Sequence, residues 1–156
     1  MELFLESYCK TYGINYRILR LGNVYGSEDK GVSKKKNALQ YLISNLRQNL
    51  QVDLYEGGDV YRDFIHVDDV TRAIDLVILK GELDTIYNIA SGTPRKIGDI
   101  IQLAKSNLGS ISQISSIPTP DFHRIVQVKD STLDVTRLKS LGFVESKSLE
   151  HEIISL

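Results

Sequence analysis

The stretch Tyr61-Arg62-Asp63-Phe64-Ile65-His66-Val67-Asp68-Asp69-Val70-Thr71-Arg72-Ala73-Ile74 decides the fold class. Phe64, Ile65 and Val67 make its first half apolar and β-favouring, which predicts a buried strand over residues 63–67. Asp68 then stands where a helix wants a side-chain acceptor for its unpaired N–H groups, so it is expected to cap a helix that begins there. Val70, Ala73, Ile74, Val77 and Ile78 recur at helical spacing until Gly81. A strand feeding directly into an amphipathic helix is the repeating unit of α/β proteins.

The same alternation extends in both directions. Upstream, Leu5, Tyr8, Cys9 and Tyr12 mark a helix over residues 2–12 with Gly13 at its left-handed end. No capping residue precedes Glu2, so this reads as the tail of a longer helix. Residues 16–21 form a short apolar strand ending at Gly22, and residues 22–33, with three glycines, read as a loop long enough to carry function. Ala38, Leu39, Leu42, Ile43 and Leu46 predict a helix over about 35–50, preceded by Lys34, Lys35 and Lys36. Those cations oppose the helix dipole; a nearby anion would relieve the conflict, and a solvated loop explains them as well.

Residues 52–55 read as a strand and 56–59 as a turn. Beyond the central stretch come a strand over 85–90, a loop at Ser91-Gly92-Thr93-Pro94, and a helix marked by Ile97, Ile100, Ile101, Ala104 and Leu108 that Gly109 ends. Later segments are a strand at 114–117, a break at Pro118-Thr119-Pro120, an extended stretch near 125–128, and short helices near 136–140 and 149–154. Neither a repeat nor a low-complexity linker divides the chain, so residues 1–156 are expected to form a single α/β domain. Its strands are few for a self-sufficient doubly wound sheet, which suggests part of something larger.

Composition narrows the function. With 19 Lys+Arg against 20 Asp+Glu in 156 residues, the formal charge is −1. That balance lacks the basic surplus of a general nucleic-acid binder. The single cysteine, Cys9, cannot close an internal disulfide, the apolar runs are too short to span a membrane, and Glu2 and Glu6 sit where a secretion signal wants basic residues. Cytoplasm is the expected location. His66, His123 and His151 lack metal-ligand spacing, so no metal is expected, and His66 reads as a packed strand residue.

Ligands of open α/β sheets sit beyond the carboxyl ends of parallel strands, which points to Gly22-Asn23-Val24-Tyr25-Gly26. Its glycines let the backbone approach a ligand, and Asn23 offers an uncharged amide donor; the other reading makes Asn23 a left-handed turn residue. Arg62 can fork two donors onto a phosphate, or it belongs to a surface pair with Asp63 or a helix-cap network.

Five phrases in order carry a resemblance: RLGNVYG (20–26), DLYEGG (53–58), YRDFIHVDDVTRAI (61–74), IYNIASG (86–92) and LDVTRLKSLGF (133–143). Together they resemble the C-terminal half of extended short-chain dehydrogenases, within the NAD-dependent nucleotide-sugar epimerase/dehydratase group. The resemblance implies the C-terminal substrate-binding part of a Rossmann-type α/β fold, similar to UDP-glucose 4-epimerases, with the N-terminal NAD-binding half missing. The glycine-rich nucleotide loop and the Tyr-x-x-x-Lys pair of that family have no match here, so no catalytic residue is expected in this chain and it should be inactive alone.

By the same resemblance, Asn23, Arg62 and Arg124 would hold the diphosphate of a UDP- or dTDP-sugar. Val32 and Tyr55 would line the base, and Gln127 stands where relatives hold the ribose with an acidic residue. Leu21 and Val24 would touch the nicotinamide end of NAD, whose other contacts belong to the missing half. The family's chemistry is removal of a sugar hydroxyl proton by a tyrosine while NAD takes a hydride. Relatives pair through the helix that continues into residues 2–12, which implies a homodimer for the full-length protein and an association-prone face at Leu5 and Tyr8. A 4,6-dehydratase, or a non-catalytic binder on the same fold, are the alternatives.

Overall fold

The computed structural model describes residues 1–27, 37–126 and 128–156. In chain order they form α1 (Glu2–Tyr12), β1 (Arg17–Leu21), β2 (Asn23–Tyr25), α2 (Ala38–Arg47), β3 (Val52–Tyr55), a 3-10 turn (Glu56–Gly58), β4 (Tyr61–His66), α3 (Val67–Lys80), β5 (Thr85–Ile89), β6 (Pro94–Lys96), α4 (Ile97–Leu108), β7 (Ile114–Ile117), α5 (Asp121–Val126), α6 (Thr136–Ser140) and α7 (Leu149–Glu152). Val32, Gln127 and the lysines at 34–36 lie outside the described residues.

β4 is the middle of the molecule because its side chains alternate between two cores. Phe64 joins Tyr25, Ile43, Leu54 and Ile101 in one, while Ile65 joins Val70, Val77, Ile89 and Leu138 in the other. A period of two on a strand buried on both faces produces this division, and fully burying each such side chain contributes about 1.5–3 kcal/mol. Pairing is parallel between β1 and β5, β2 and β4, and β3 and β7, with β6 antiparallel on the edge of β4. Arg17 is level with Thr85, Asn23 with Phe64, Val52 with Ile114, and Arg62 with Arg95.

The helices obey the apolar spacing. α1 and α4 end on Gly13 and Gly109 in the left-handed region, as the sequence predicts. α2 starts at Ala38, capped by Asn37, whose side chain accepts from the Gln40 N–H. α3 departs from expectation in its cap. The acceptor is the His66 ring, whose Nδ1 takes the Asp68 N–H at 3.1 Å, while Asp68 already lies inside the first turn. His66 is buried edge-on to Tyr25, with ring centroids 5.1 Å apart, in keeping with its reading as a packed residue.

Asp69 is also buried in that first turn. It accepts from the Ser146 hydroxyl at 2.7 Å, the Ser146 and Lys147 N–H groups, and Arg72. Burial alone would push its pKa up; the Ser146 hydroxyl, the two N–H groups and Arg72 outweigh that and hold it below the ordinary 3.8.

Three other segments correct the sequence reading. Residues 23–25, expected within a loop, are a strand, because β4 offers them a parallel edge. The expected loop at 91–94 gives way to β6 at Pro94, an edge position where the missing proline N–H costs nothing. The stretch near 125–128 is not extended throughout: α5 runs to Val126, begun by Asp121 after Pro120, with the Arg124 N–H closing a helical turn onto the Pro120 carbonyl. Local hydrogen bonding there overrides the β preference of Ile125 and Val126.

Candidate functional site

Asp63 organises the candidate site from inside. It is 1% exposed, and its carboxylate accepts from the Ser91 N–H at 2.9 Å, the Ser91 hydroxyl at 2.7 Å, the Gly92 N–H at 3.0 Å and the Leu133 N–H at 3.5 Å. Among the described residues no cation pairs with it. Hydrogen-bond donors substitute for a counterion, and four of them fasten the chain after β5 and the segment before α6 to one carboxylate. From sequence, Asp63 stands out only as a partner for Arg62. The available signal is a carboxylate entering an apolar strand, a group that cannot be buried unless donors await it.

Around this anchor the residues singled out from sequence take their places. Asn23 is exposed at the start of β2, in extended rather than left-handed backbone. Its Nδ2 donates to the Asp63 carbonyl at 3.0 Å. One N–H of the amide is thereby committed, and the second has no partner among the described residues. The flanking glycines serve packing. A Cβ on Gly22 would lie 3.1 Å from Ala90 Cβ, and one on Gly26 would lie 2.8 Å from Val67 Cγ1.

Arg62, half-buried on β4, spends its guanidinium on three carbonyls. Nη1 donates to Tyr61 O at 2.8 Å and to Lys129 O at 2.5 Å, and Nη2 donates to Val128 O at 3.0 Å. A guanidinium carries five donors, so among the described residues two have no partner: Nε–H and the second N–H of Nη2. These share the side-on edge of the fork, the same edge by which Arg20 and Arg95 in this protein hold Glu2 and Glu150. Three carbonyls thus brace the arginine, and the Nε/Nη2 edge is the one that meets no other described residue. It forms no pair with Asp63.

Arg124 lies on α5 with its side chain 69% exposed, and its Nη1 is 3.7 Å from Asp121 Oδ1. The described contacts of Arg62 and Arg124 have no residue in common. Their link is the chain itself: Arg124 is four residues before the Val128 carbonyl that Arg62 holds, at most about 14 Å along extended backbone. Tyr55 ends β3 on a different sheet, with Glu56 next to it, whose Oε1 accepts from the Thr119 N–H. Leu21 is 51% exposed at the carboxyl end of β1, and Val24 packs partly against the core that contains Ile65.

The charge near the Arg62 edge is mixed. Lys96 bonds Asp59 at 2.9 Å and Lys129 approaches it at 3.9 Å. The Lys96 ammonium, with Lys129 behind it, holds the exposed Asp59 carboxyl below its usual range. Among the described residues no group of three or more His, Cys, Asp or Glu side chains could hold a metal ion, and no helix is long and apolar enough to cross a membrane.

Residues 1–90 match the model of the NAD dependent epimerase/dehydratase family. Among proteins of known activity, the chain is 31% identical over 142 residues to dTDP-L-rhamnose 4-epimerase of Burkholderia thailandensis, covering 87% of this chain and 37% of that one. Among solved structures it resembles UDP-glucose 4-epimerase of Thermotoga maritima with UDP-glucose, at 27% identity and a TM-score of 0.85, over 99% of this chain and 48% of that one. It also resembles the dTDP-glucose 4,6-dehydratase of Streptomyces venezuelae with NAD bound, at 25% identity and a TM-score of 0.80, over 97% of this chain and 45% of that one. The chain thus spans about half the length, or less, of the relatives it matches.

Proposed function

The chain belongs to the NAD-dependent epimerase/dehydratase family, and from that premise we propose that it is the substrate-gripping half of a nucleotide-sugar 4-epimerase, holding the diphosphate of a UDP- or dTDP-sugar. The observation that carries this reading is the unspent Nε/Nη2 edge of Arg62, held outward by three carbonyls. A diphosphate oxygen pair matches that edge in spacing and charge, and the arginine loses little further freedom on binding it. The second N–H of the Asn23 amide, whose first is held by the carbonyl of Asp63 next along the chain from Arg62, would add an uncharged donor. Arg124 would swing in from α5, and Tyr55 would pack on the base. The relatives include a 4,6-dehydratase as well as 4-epimerases, and such a grip serves either reaction.

In the reaction this half supplies orientation. Binding energy gathered at the diphosphate fixes the sugar where proton and hydride leave it, lowering the entropic part of the barrier. NAD, when bound, supplies the hydride acceptor. The residues present fit one edge of it: Leu21 offers an exposed apolar side chain, while Val24 has less surface to give. α1 supplies the surface for self-association, with Phe4, Tyr8 and Tyr12 in a row along its exposed side, the first pair stacked and the second tilted, at centroid separations of 6.4 and 4.6 Å. Calorimetry with UDP and dTDP on the full chain tests the grip. Arg62→Ala should weaken binding by about 1.5–3 kcal/mol, the range for a charged hydrogen bond, and an unchanged affinity would discard the clamp.

A further inference from the structure

Two of the three carbonyls that brace Arg62 belong to residues 128–131, a strap lying beside β4 at Tyr61–Asp63. Its backbone makes a parallel bridge in which Ser131 N–H donates to Tyr61 O and Asp63 N–H donates to Ser131 O, each at 3.1 Å. One donor further along the same edge, the Tyr61 N–H, has no strap carbonyl to meet. It is taken by the Asp130 side chain, with Oδ1 at 2.9 Å. Asp130 therefore extends the ladder by one bond at the point where the strap turns toward Val128 and Lys129. From there their two carbonyls reach back to Arg62 Nη2 and Nη1.

We propose that Asp130 is a positioning residue for the diphosphate grip. Its carboxylate pins the strap to Tyr61, so that the carbonyls of Val128 and Lys129 hold the guanidinium of Arg62 with its free edge presented. This role rests on Arg62 being the diphosphate clamp, and it adds a residue that touches neither phosphate nor sugar. A carboxylate near an anion site costs Coulomb energy, so a role in direct binding is the wrong reading of Asp130. What matters is the acceptor oxygen, and Asn supplies one at the same length without the charge.

Two measurements on the full chain decide it. In calorimetry with UDP, Asp130→Ala should weaken binding about three- to tenfold, the effect of one lost hydrogen bond, while Asp130→Asn should bind as the parent does or more tightly. In an Arg62→Ala background, Asp130→Ala should cost nothing further, because the group it positions is gone. A loss that persists in that background, or an Asn variant as weak as the Ala variant, overturns the proposal. Amide hydrogen exchange at Tyr61 and Ser131 reads the pin without ligand: it should quicken in Asp130→Ala and hold in Asp130→Asn, and an unchanged rate in the Ala variant also overturns it. If the parent chain shows normal exchange yet binds no UDP, the diphosphate reading itself fails, and with it the role given to Asp130.

Discussion

Arg62 and Arg124 carry the same guanidinium on two very different supports. Arg62 grows from a strand shared by two cores and is braced by three carbonyls, with one fork edge left open. Arg124 stands on a six-residue helix, largely exposed, beside a still more exposed Asp121. The difference concerns how much freedom is left to lose. A braced arginine has already surrendered its rotamers to the fold, whereas a free one gives up on the order of 2 kcal/mol of side-chain entropy when it closes on an anion. Two residues that a motif would rank as equals are therefore unequal candidates for the proposed clamp.

The largest expected effect tests the support itself. Asp63→Ala removes the shared acceptor of four donors, two of them in buried bonds from Ser91, and should lower stability by about 3 kcal/mol in a urea melt, given the cost of unpaired buried groups. A loss under about 1 kcal/mol would mean that Asp63 does not anchor the site.

Next comes the comparison of the two clamps. Beside the roughly 1.5–3 kcal/mol expected for Arg62→Ala, Arg124→Ala should cost less than about 1 kcal/mol of UDP affinity, as exposed ionic contacts do. Equal losses in calorimetry would erase the distinction between them.

Acid offers a third probe. Asp69 has a folded pKa below its ordinary 3.8, so its contribution is complete above that value and is lost as pH falls through the folded one. The melting temperature of the parent chain should drop below about pH 4 more steeply than that of Asp69→Asn. Parallel curves would show that the bonds from Ser146, Lys147 and Arg72 do not favour the charged form.

The smallest expected effect concerns α1. Tyr8→Glu should reduce concentration-dependent association in light scattering, because it puts a charge in the exposed aromatic row. A parent chain that stays monomeric at high concentration would remove α1 as a self-association face.

How much of the molecule is legible in its sequence depends on the range of each interaction. The apolar periods of α3 and α4 and the apolar residues of β1 and β5 are local, so the sequence displays them directly, and Gly13 and Gly109 mark helix ends by their own conformation. The His66 cap is hidden because its ring nitrogen competes with an adjacent aspartate, and packing against Tyr25 decides between them. Asp63 finds its donors 28 to 70 residues away, and Arg62 finds two of its carbonyls 66 and 67 residues away. No local pattern announces those partners. Arg62 can be picked as a phosphate donor from its type and setting, but the edge left open cannot, because that depends on which carbonyls arrive.

In the proposed grip, Arg62 is aimed before ligand arrives. A crystal structure of the chain soaked with UDP tests it most directly. The diphosphate is expected on the Nε/Nη2 edge of Arg62, with the bonds to Val128 and Lys129 retained and the Asn23 amide alongside. A diphosphate bound elsewhere, or an Arg62 that has released both carbonyls to reach it, would contradict the claim.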